Sequence, residues 1–148
     1  MCGPGNEGRP VAIDLLIAGL LSSGMALYHF WLPAIFGWSQ DLKSEPILSW
    51  ALLSINAFFS YLLLAGGIGT TVIALRIVPA ERAASGVQLG MLGFWILNAS
   101  YQVIAPMPLP RRLAALRWGF LAFAIVIVAL YATALGREIG RRRGGDST

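Results

Sequence analysis

The chain has 148 residues, of which 57% are hydrophobic and 12% are charged, and its formal net charge is +4. A soluble domain has about 25% charged residues, so this chain, with a mean hydropathy of +0.70, has too little charge to cover a soluble surface. The positive charge does not indicate a nucleic-acid partner, because the basic residues are scattered between apolar runs, as is typical of a polytopic membrane protein.

The first ten residues, "MCGPGNEGRP", have neither the basic start nor the apolar core of a signal peptide. We therefore predict a short, flexible cytoplasmic tail at residues 1–10, followed by a first apolar helix that is retained. Cys2 is the single cysteine, which excludes an intramolecular disulfide and a metal cluster built on cysteines.

Four apolar runs then predict an all-α fold, with four transmembrane helices in an up-down bundle over residues 11–136. Each run has at least the roughly 20 apolar residues that a helix needs to cross the hydrocarbon core. The predicted helices span about 11–36, 46–76, 85–105 and 117–136. The remaining residues, 137–148, are predicted to form a basic cytoplasmic tail.

The basic residues predict the orientation of these helices. The two termini and the loop between the second and third helices carry seven Lys and Arg residues, and the opposite face carries four. This excess places both termini in the cytoplasm. Every basic residue except Lys43 is Arg, which is typical of a GC-rich bacterial genome and favours the bacterial inner membrane. The Arg-rich tail either contacts anionic membrane lipids, at about 1 kcal/mol per basic residue, or is a plain topology anchor.

Residue size changes along the predicted helices. Small residues, which let helix backbones approach closely in lipid, are concentrated towards the cytoplasmic ends, whereas most bulky aromatic residues lie towards the outer ends. We therefore expect a bundle that is tight at its inner end and open at its outer end, with an outward-facing crevice. The residues predicted to mediate helix packing are Gly19, Ser23, Gly66, Gly67, Gly86 and Gly90. Among them, Gly86 and Gly90 form a GxxxG spacing, and Gly19 and Ser23 have the same spacing.

Three helices place a strongly polar side chain at one depth, about 10 to 14 Å from the outer helix ends. These side chains are His29, Asn56 and Asn98, and Tyr101 lies near them. A buried amide in hydrocarbon needs hydrogen-bond partners. Either the two Asn side chains bond to each other or to backbone and fix the helix register, or the layer lines a site for a ligand or a polar head group.

His29 is the single histidine, and Pro33 stands four residues after it. Because proline has no N–H, the carbonyl of His29 lacks its usual helical donor, and a side chain, water or ligand could supply one. The imidazole could form an interhelical hydrogen bond, ligate the metal of haem or a chlorophyll, or donate to a quinone. No cofactor is the first expectation for this site, and haem, quinone or bacteriochlorophyll is the alternative.

The segment "ALYHFWLPAIFGW", residues 26–38, resembles bacterial antenna polypeptides. In that family a membrane histidine binds bacteriochlorophyll near an interfacial tryptophan, so the resemblance implies these roles for His29 and Trp38. Met25 stands where the family commonly has alanine, four residues before the histidine. The layout of the whole chain is similar in hydropathy to the small four-helix DoxX-like membrane proteins.

The spans carry no deep charged group, and the sequence has no hydrolase, metalloprotease or haem-attachment motif. This indicates, first, a non-catalytic accessory or assembly subunit of a larger bacterial membrane complex, with a membrane protein or another copy of the chain as its partner. The alternative is a small membrane oxidoreductase or cofactor-binding protein that uses the outer layer around His29. A second alternative is a transporter of a small neutral solute, which the absence of buried charge disfavours.

Overall fold

A computed structural model of the protein shows five helices and no strand in the part of the chain that it describes. The described residues are 12–75, 81–106 and 114–145, of which 81–83 and 141–145 are described by their backbone. The helices are α1 (Ile13–Ile35), α2 (Trp38–Asp41), α3 (Pro46–Ala74), α4 (Glu81–Ile104) and α5 (Ala114–Gly145). The prediction of an all-α fold is therefore confirmed for these residues. The predicted N-terminal tail lies outside them.

Three of the described helices are long and apolar enough to cross a membrane, namely α1, α3 and the segment Ala114–Gly140 of α5. The helix α4 does not reach the same apolarity, although it has 24 residues. Its sequence includes Gln88, Asn98 and Gln102, whose amide side chains lower its hydropathy. The prediction of four spanning helices is thus supported for three of them.

The helix boundaries differ most from prediction in α5. This helix begins at Ala114 and continues to Gly145, so much of the predicted basic tail is helical. The segment contains no proline to end the helix, and hydrogen bonds from Ser85 and Gln88 to the Glu138 carboxylate, at 3.2 and 3.3 Å, attach it to α4. The short helix α2 was also not predicted; it follows Gly37, whose φ of 62° suits glycine.

The four long helices run alternately in opposite directions. In chain order each packs against the next, and α5 packs back against α1. The contacts pair the start of one helix with the end of its neighbour, as for Asp14 with Arg137 and Tyr28 with Phe120. We call the end that carries α2 the α2 end. The opposite end, where α1 begins and α5 finishes, is the terminal end.

Two glycines bring the backbones of α1 and α3 into close contact. A Cβ atom built on Gly19 would lie 2.9 Å from both the Gly67 carbonyl oxygen and the Thr71 nitrogen, and one built on Gly67 would lie 2.8 Å from the Ser23 nitrogen. Both positions therefore need glycine. The hydroxyls of Ser23 and Thr71 donate to the Gly19 and Gly67 carbonyls, at 2.9 and 3.0 Å, so no polar group is left unpaired at this contact.

The other predicted packing glycines have different surroundings. A Cβ on Gly66 would collide with the Met91 side chain, so Gly66 faces α4. Gly86 and Gly90 are exposed, and a Cβ on either would have no described atom within 4 Å. Of the two predicted spacings, the one in α1 lies at a helix contact within the chain. The GxxxG spacing of α4 faces outward, because the buried face of α4 carries Gln88, Met91 and Trp95.

Two buried hydrogen bonds join helices that are not neighbours. The indole nitrogen of Trp95 donates to the Ser22 hydroxyl, at 3.0 Å, and thereby connects α4 with α1. The hydroxyls of Thr70 and Tyr131 share a hydrogen bond of 3.0 Å between α3 and α5. All four side chains are almost fully buried. These bonds fix the helices diagonally across the core, in addition to the apolar contacts.

Candidate functional site

A cavity of about 390 Å³ lies between the helices towards the α2 end. Its volume falls in the range of small-molecule sites, which is roughly 300 to 1,000 Å³. All four long helices contribute to its lining. The lining includes Met25, Tyr28, His29, Phe59, Leu63, Phe94, Trp95, Asn98, Tyr101, Gln102, Ala105, Arg117, Phe120 and Phe123. We call this space the α2-end cavity, and it lies where the sequence predicts a crevice.

Three of the four predicted site residues line this cavity, namely His29, Asn98 and Tyr101. The fourth, Asn56, is buried and has another role, because its side-chain nitrogen donates to the His29 carbonyl oxygen at 2.8 Å. This is the carbonyl that Pro33 leaves without a helical donor. Asn56 therefore completes the backbone hydrogen bonding of α1 and connects it to α3.

The two Asn side chains have separate partners. The Asn98 side-chain oxygen accepts a hydrogen bond from the Gln102 amide nitrogen, at 2.7 Å and one helical turn away. Asn56, in contrast, bonds to backbone on α1. The expected pairing to backbone is therefore present for Asn56, whereas Asn98 has a side-chain partner that was not expected. The bond to Gln102 uses the oxygen of Asn98 and leaves its two N–H donors for other partners.

Aromatic rings form one continuous wall of the cavity. The imidazole of His29 lies with its centroid 4.9 Å from that of Phe59, and the Phe59 ring lies 5.2 Å from that of Phe94. The series continues from Phe94 to Trp95 at 5.7 Å and from Trp95 to Phe123 at 5.9 Å. These separations are typical of attractive aromatic pairs. The wall therefore presents a stiff, apolar surface that spans all four long helices.

The cavity is amphipathic along its depth. Its polar groups are near the α2 end, where Tyr101 and Gln102 lie close to the end of α4 and Arg117 lies in the first turns of α5. Its deeper lining is apolar and includes Trp95 and Phe123. The guanidinium carbon of Arg117 lies 4.8 Å from the ring centroid of Trp118, a cation–π contact that holds the charge at the mouth.

The sequence interpretation missed two residues of this site. Neither Arg117 nor Trp95 was predicted from the sequence to be a site residue. Trp95 does pack in the core, but it also lines the cavity. A signal for Arg117 was present, because Arg117, Phe120 and Phe123 recur every three residues and so share one helix face. All three line the cavity.

In the described part of the chain, no three His, Cys, Asp or Glu side chains are grouped as a metal site. Comparison of the chain with family models, with curated proteins and with solved structures gives no significant match. The cavity and its lining are therefore the basis for any functional proposal.

Proposed function

We propose that the chain is a four-span protein of the bacterial inner membrane, with both termini in the cytoplasm, that binds a small lipid-soluble ligand in the α2-end cavity. The observation that carries this proposal is the cavity itself, whose lining is apolar inside and polar at its mouth. Such a combination of apolar walls and a few convergent polar groups is typical of ligand sites.

The fourth span in this proposal is α4. Its 24 residues extend about 36 Å at 1.5 Å per residue, which exceeds the hydrocarbon thickness of about 30 Å. Its amides lie inside the protein, because Gln88 is buried and Asn98 and Gln102 line the cavity. Polar side chains of membrane helices generally face the protein interior. The polarity of α4 therefore supports an internal site and is compatible with a spanning helix.

Of the cofactors expected from the sequence, a quinone-type ring fits the size of this cavity better than a macrocycle does. The cavity volume is near the lower limit for small-molecule sites, whereas haem and bacteriochlorophyll are large planar groups. The aromatic wall would contact a single flat ring, and His29 or Asn98 could donate to a carbonyl oxygen at its edge. This chemistry uses His29 as a hydrogen-bond donor rather than as a metal ligand.

The test is to purify the protein in mild detergent and identify bound small molecules by absorbance and by mass spectrometry of an organic extract. An Ala105→Trp variant should block the cavity mouth, because Ala105 lines the cavity and is exposed. We expect it to lose the bound molecule. A Ser100→Trp variant, altered at an exposed position outside the lining, should retain it. An extract with the same lipids for both variants as for the wild type would contradict the proposal.

The second candidate function is the accessory or assembly subunit. The observation that favours it is the exposed face of α4, where Gly86, Gly90 and Gly93 have no described atom near a built Cβ. Small residues on a lipid-facing helix permit close packing with a helix of another membrane protein. Mild-detergent purification should then yield a stoichiometric complex, which Gly90→Leu disrupts and Leu62→Ala, on the exposed face of α3, does not.

A further inference from the structure

We infer that the α2-end cavity selects an amphiphile with an anionic oxygen head group, which binds at Arg117 while its apolar part extends towards Trp95. This inference rests on the proposed function and specifies the chemistry of its ligand. The head group can be a carboxylate or a phosphate monoester, since both offer the oxygen pairs that a guanidinium binds in a bidentate manner.

The first step of the argument concerns charge. Arg117 lines the cavity, and neither Asp nor Glu is among the described residues of the lining. Arg117 is half-buried, and its recorded contact is with the Trp118 ring, which supplies no compensating negative charge. A permanent cation that is partly removed from water gains most from an anion at hydrogen-bond distance. The mouth of the cavity therefore prefers an anionic head group to a neutral or cationic one.

The second step concerns hydrogen-bond donors. Asn98 has its oxygen occupied by Gln102 and keeps two N–H donors, and Tyr101 adds a hydroxyl to the same lining. Together with the guanidinium, these groups make the mouth rich in donors. A carboxylate or phosphate accepts several such bonds at once, whereas an ester or a quinone carbonyl accepts fewer and carries no full charge.

The third step concerns the apolar part of the ligand. On α5, the lining runs from Arg117 to Phe123, six residues or about 9 Å. On α4, it runs from Gln102 to Phe94, eight residues or about 12 Å. Both helices change from polar to aromatic over this distance. The enclosed part of the ligand is thus a short alkyl chain or one ring system, with any longer chain extending towards the lipid.

The experiment compares ligands that differ in the head group. Full-length protein in nanodiscs of zwitterionic phosphatidylcholine is titrated with radiolabelled decanoate and with methyl decanoate, and empty nanodiscs give the background. A charge-assisted hydrogen bond supports a preference of about tenfold or more, so we expect decanoate to bind at least about tenfold more tightly. Decyl phosphate in the same assay distinguishes a phosphate from a carboxylate source.

Variants then test whether the preference for the acid over the ester depends on Arg117. Arg117→Gln should lower the affinity for decanoate towards that for methyl decanoate and so remove the preference, and Arg117→Lys should retain part of the preference. The matched control, Lys43→Gln, removes a described cation outside the cavity lining and should preserve the preference. If Arg117→Gln does not fold, the comparison of acid with ester in the wild-type protein decides the question by itself.

The outcomes separate this inference from the proposed function. Equal affinity for acid and ester, with both abolished by Ala105→Trp, would overturn the anionic head group and leave the cavity as a ligand site. If the acid, the ester and the phosphate all fail to bind saturably, and the extract contains no bound molecule, both the inference and the proposed function are overturned. A preference that survives Arg117→Gln would also contradict the inference.

Discussion

The two ends of the same helix pair, α1 and α3, are packed in opposite ways. At the terminal end, Gly19 and Gly67 bring the backbones so close that a Cβ atom would overlap main-chain atoms. Towards the α2 end, His29 and Phe59 present rings to the α2-end cavity. The difference shows that residue size along one pair of helices determines where the protein is closed and where it is open. The predictions below test this contrast.

The largest change in unfolding free energy is expected at the terminal end. Gly67→Ala places a methyl group 2.8 Å from the Ser23 nitrogen. The helices must shift to make room for it, and such overpacking should lower the free energy of unfolding by about 1–3 kcal/mol. Gly93→Ala is the control, because a Cβ there meets open space. It should be neutral or stabilise by up to about 1 kcal/mol, as expected from helix propensity. SDS titration followed by circular dichroism measures both, and equal effects would disprove the tight contact.

The next effect is expected at the hydrogen bond beside the cavity. Asn56→Leu removes the donor to the His29 carbonyl, and leaving a buried acceptor unpaired should cost about 1–2 kcal/mol. Pro33→Ala restores a helical N–H for that carbonyl. In the Pro33→Ala background, the decrease in unfolding free energy caused by Asn56→Leu should therefore be less than half as large, again measured by SDS titration. Additive losses in the double variant would show that Asn56 acts on stability by another route.

A smaller effect is expected in the core between the two ends. Ser22→Ala removes the acceptor of the Trp95 N–H and should cost about 1 kcal/mol of unfolding free energy. In a Trp95→Phe background the same substitution should cost clearly less, since the indole donor is already absent. Tryptophan fluorescence during denaturation provides the measurement for Ser22→Ala, and circular dichroism provides it for the double variant. A full loss in both backgrounds would contradict this pairing.

The smallest effect is expected at the ion pair of the terminal end. Asp14 and Arg137 lie 3.1 Å apart, but 70% of the Arg137 side chain is exposed, so solvent screens the pair. Asp14→Asn should lower the unfolding free energy by less than about 1 kcal/mol, and the difference should shrink in high salt. Thermal unfolding at low and high ionic strength checks this. A large, salt-independent loss would assign Asp14 a role in the core.

The contrast between the closely packed terminal end and the open α2 end could be predicted from the sequence. The spacing of Gly19 and Ser23 and the run containing Gly67 predicted close packing, and the aromatic residues predicted the crevice. The missing N–H of Pro33 also predicted that the His29 carbonyl needs a donor. These features could be predicted because each follows from local covalent structure or from residue volume along a helix of fixed rise per residue.

The remaining features depend on which helix faces which. Nothing local in the sequence distinguishes Gly90, which is exposed, from Gly67, which lies at a helix contact. The choice of Asn56 as the donor for His29 needs the register of α1 against α3. The extension of α5 beyond Gly136 needs the partners of Glu138 on α4. Rotation and register of helices are set by tertiary packing, so a single sequence leaves them open.

The hydrogen bond from Asn56 also has a mechanical consequence. It joins α1 and α3 at His29, ten residues or about 15 Å along α1 from the contact at Gly19. A helix pair held at two such separated points resists sliding and swivelling, so we expect α1 and α3 to move together as one helical hairpin. The Trp95–Ser22 and Tyr131–Thr70 hydrogen bonds also tie α4 and α5 to this hairpin in the core. We therefore expect the α2-end cavity to widen by outward bending of the parts of α4 and α5 that lie beyond those bonds.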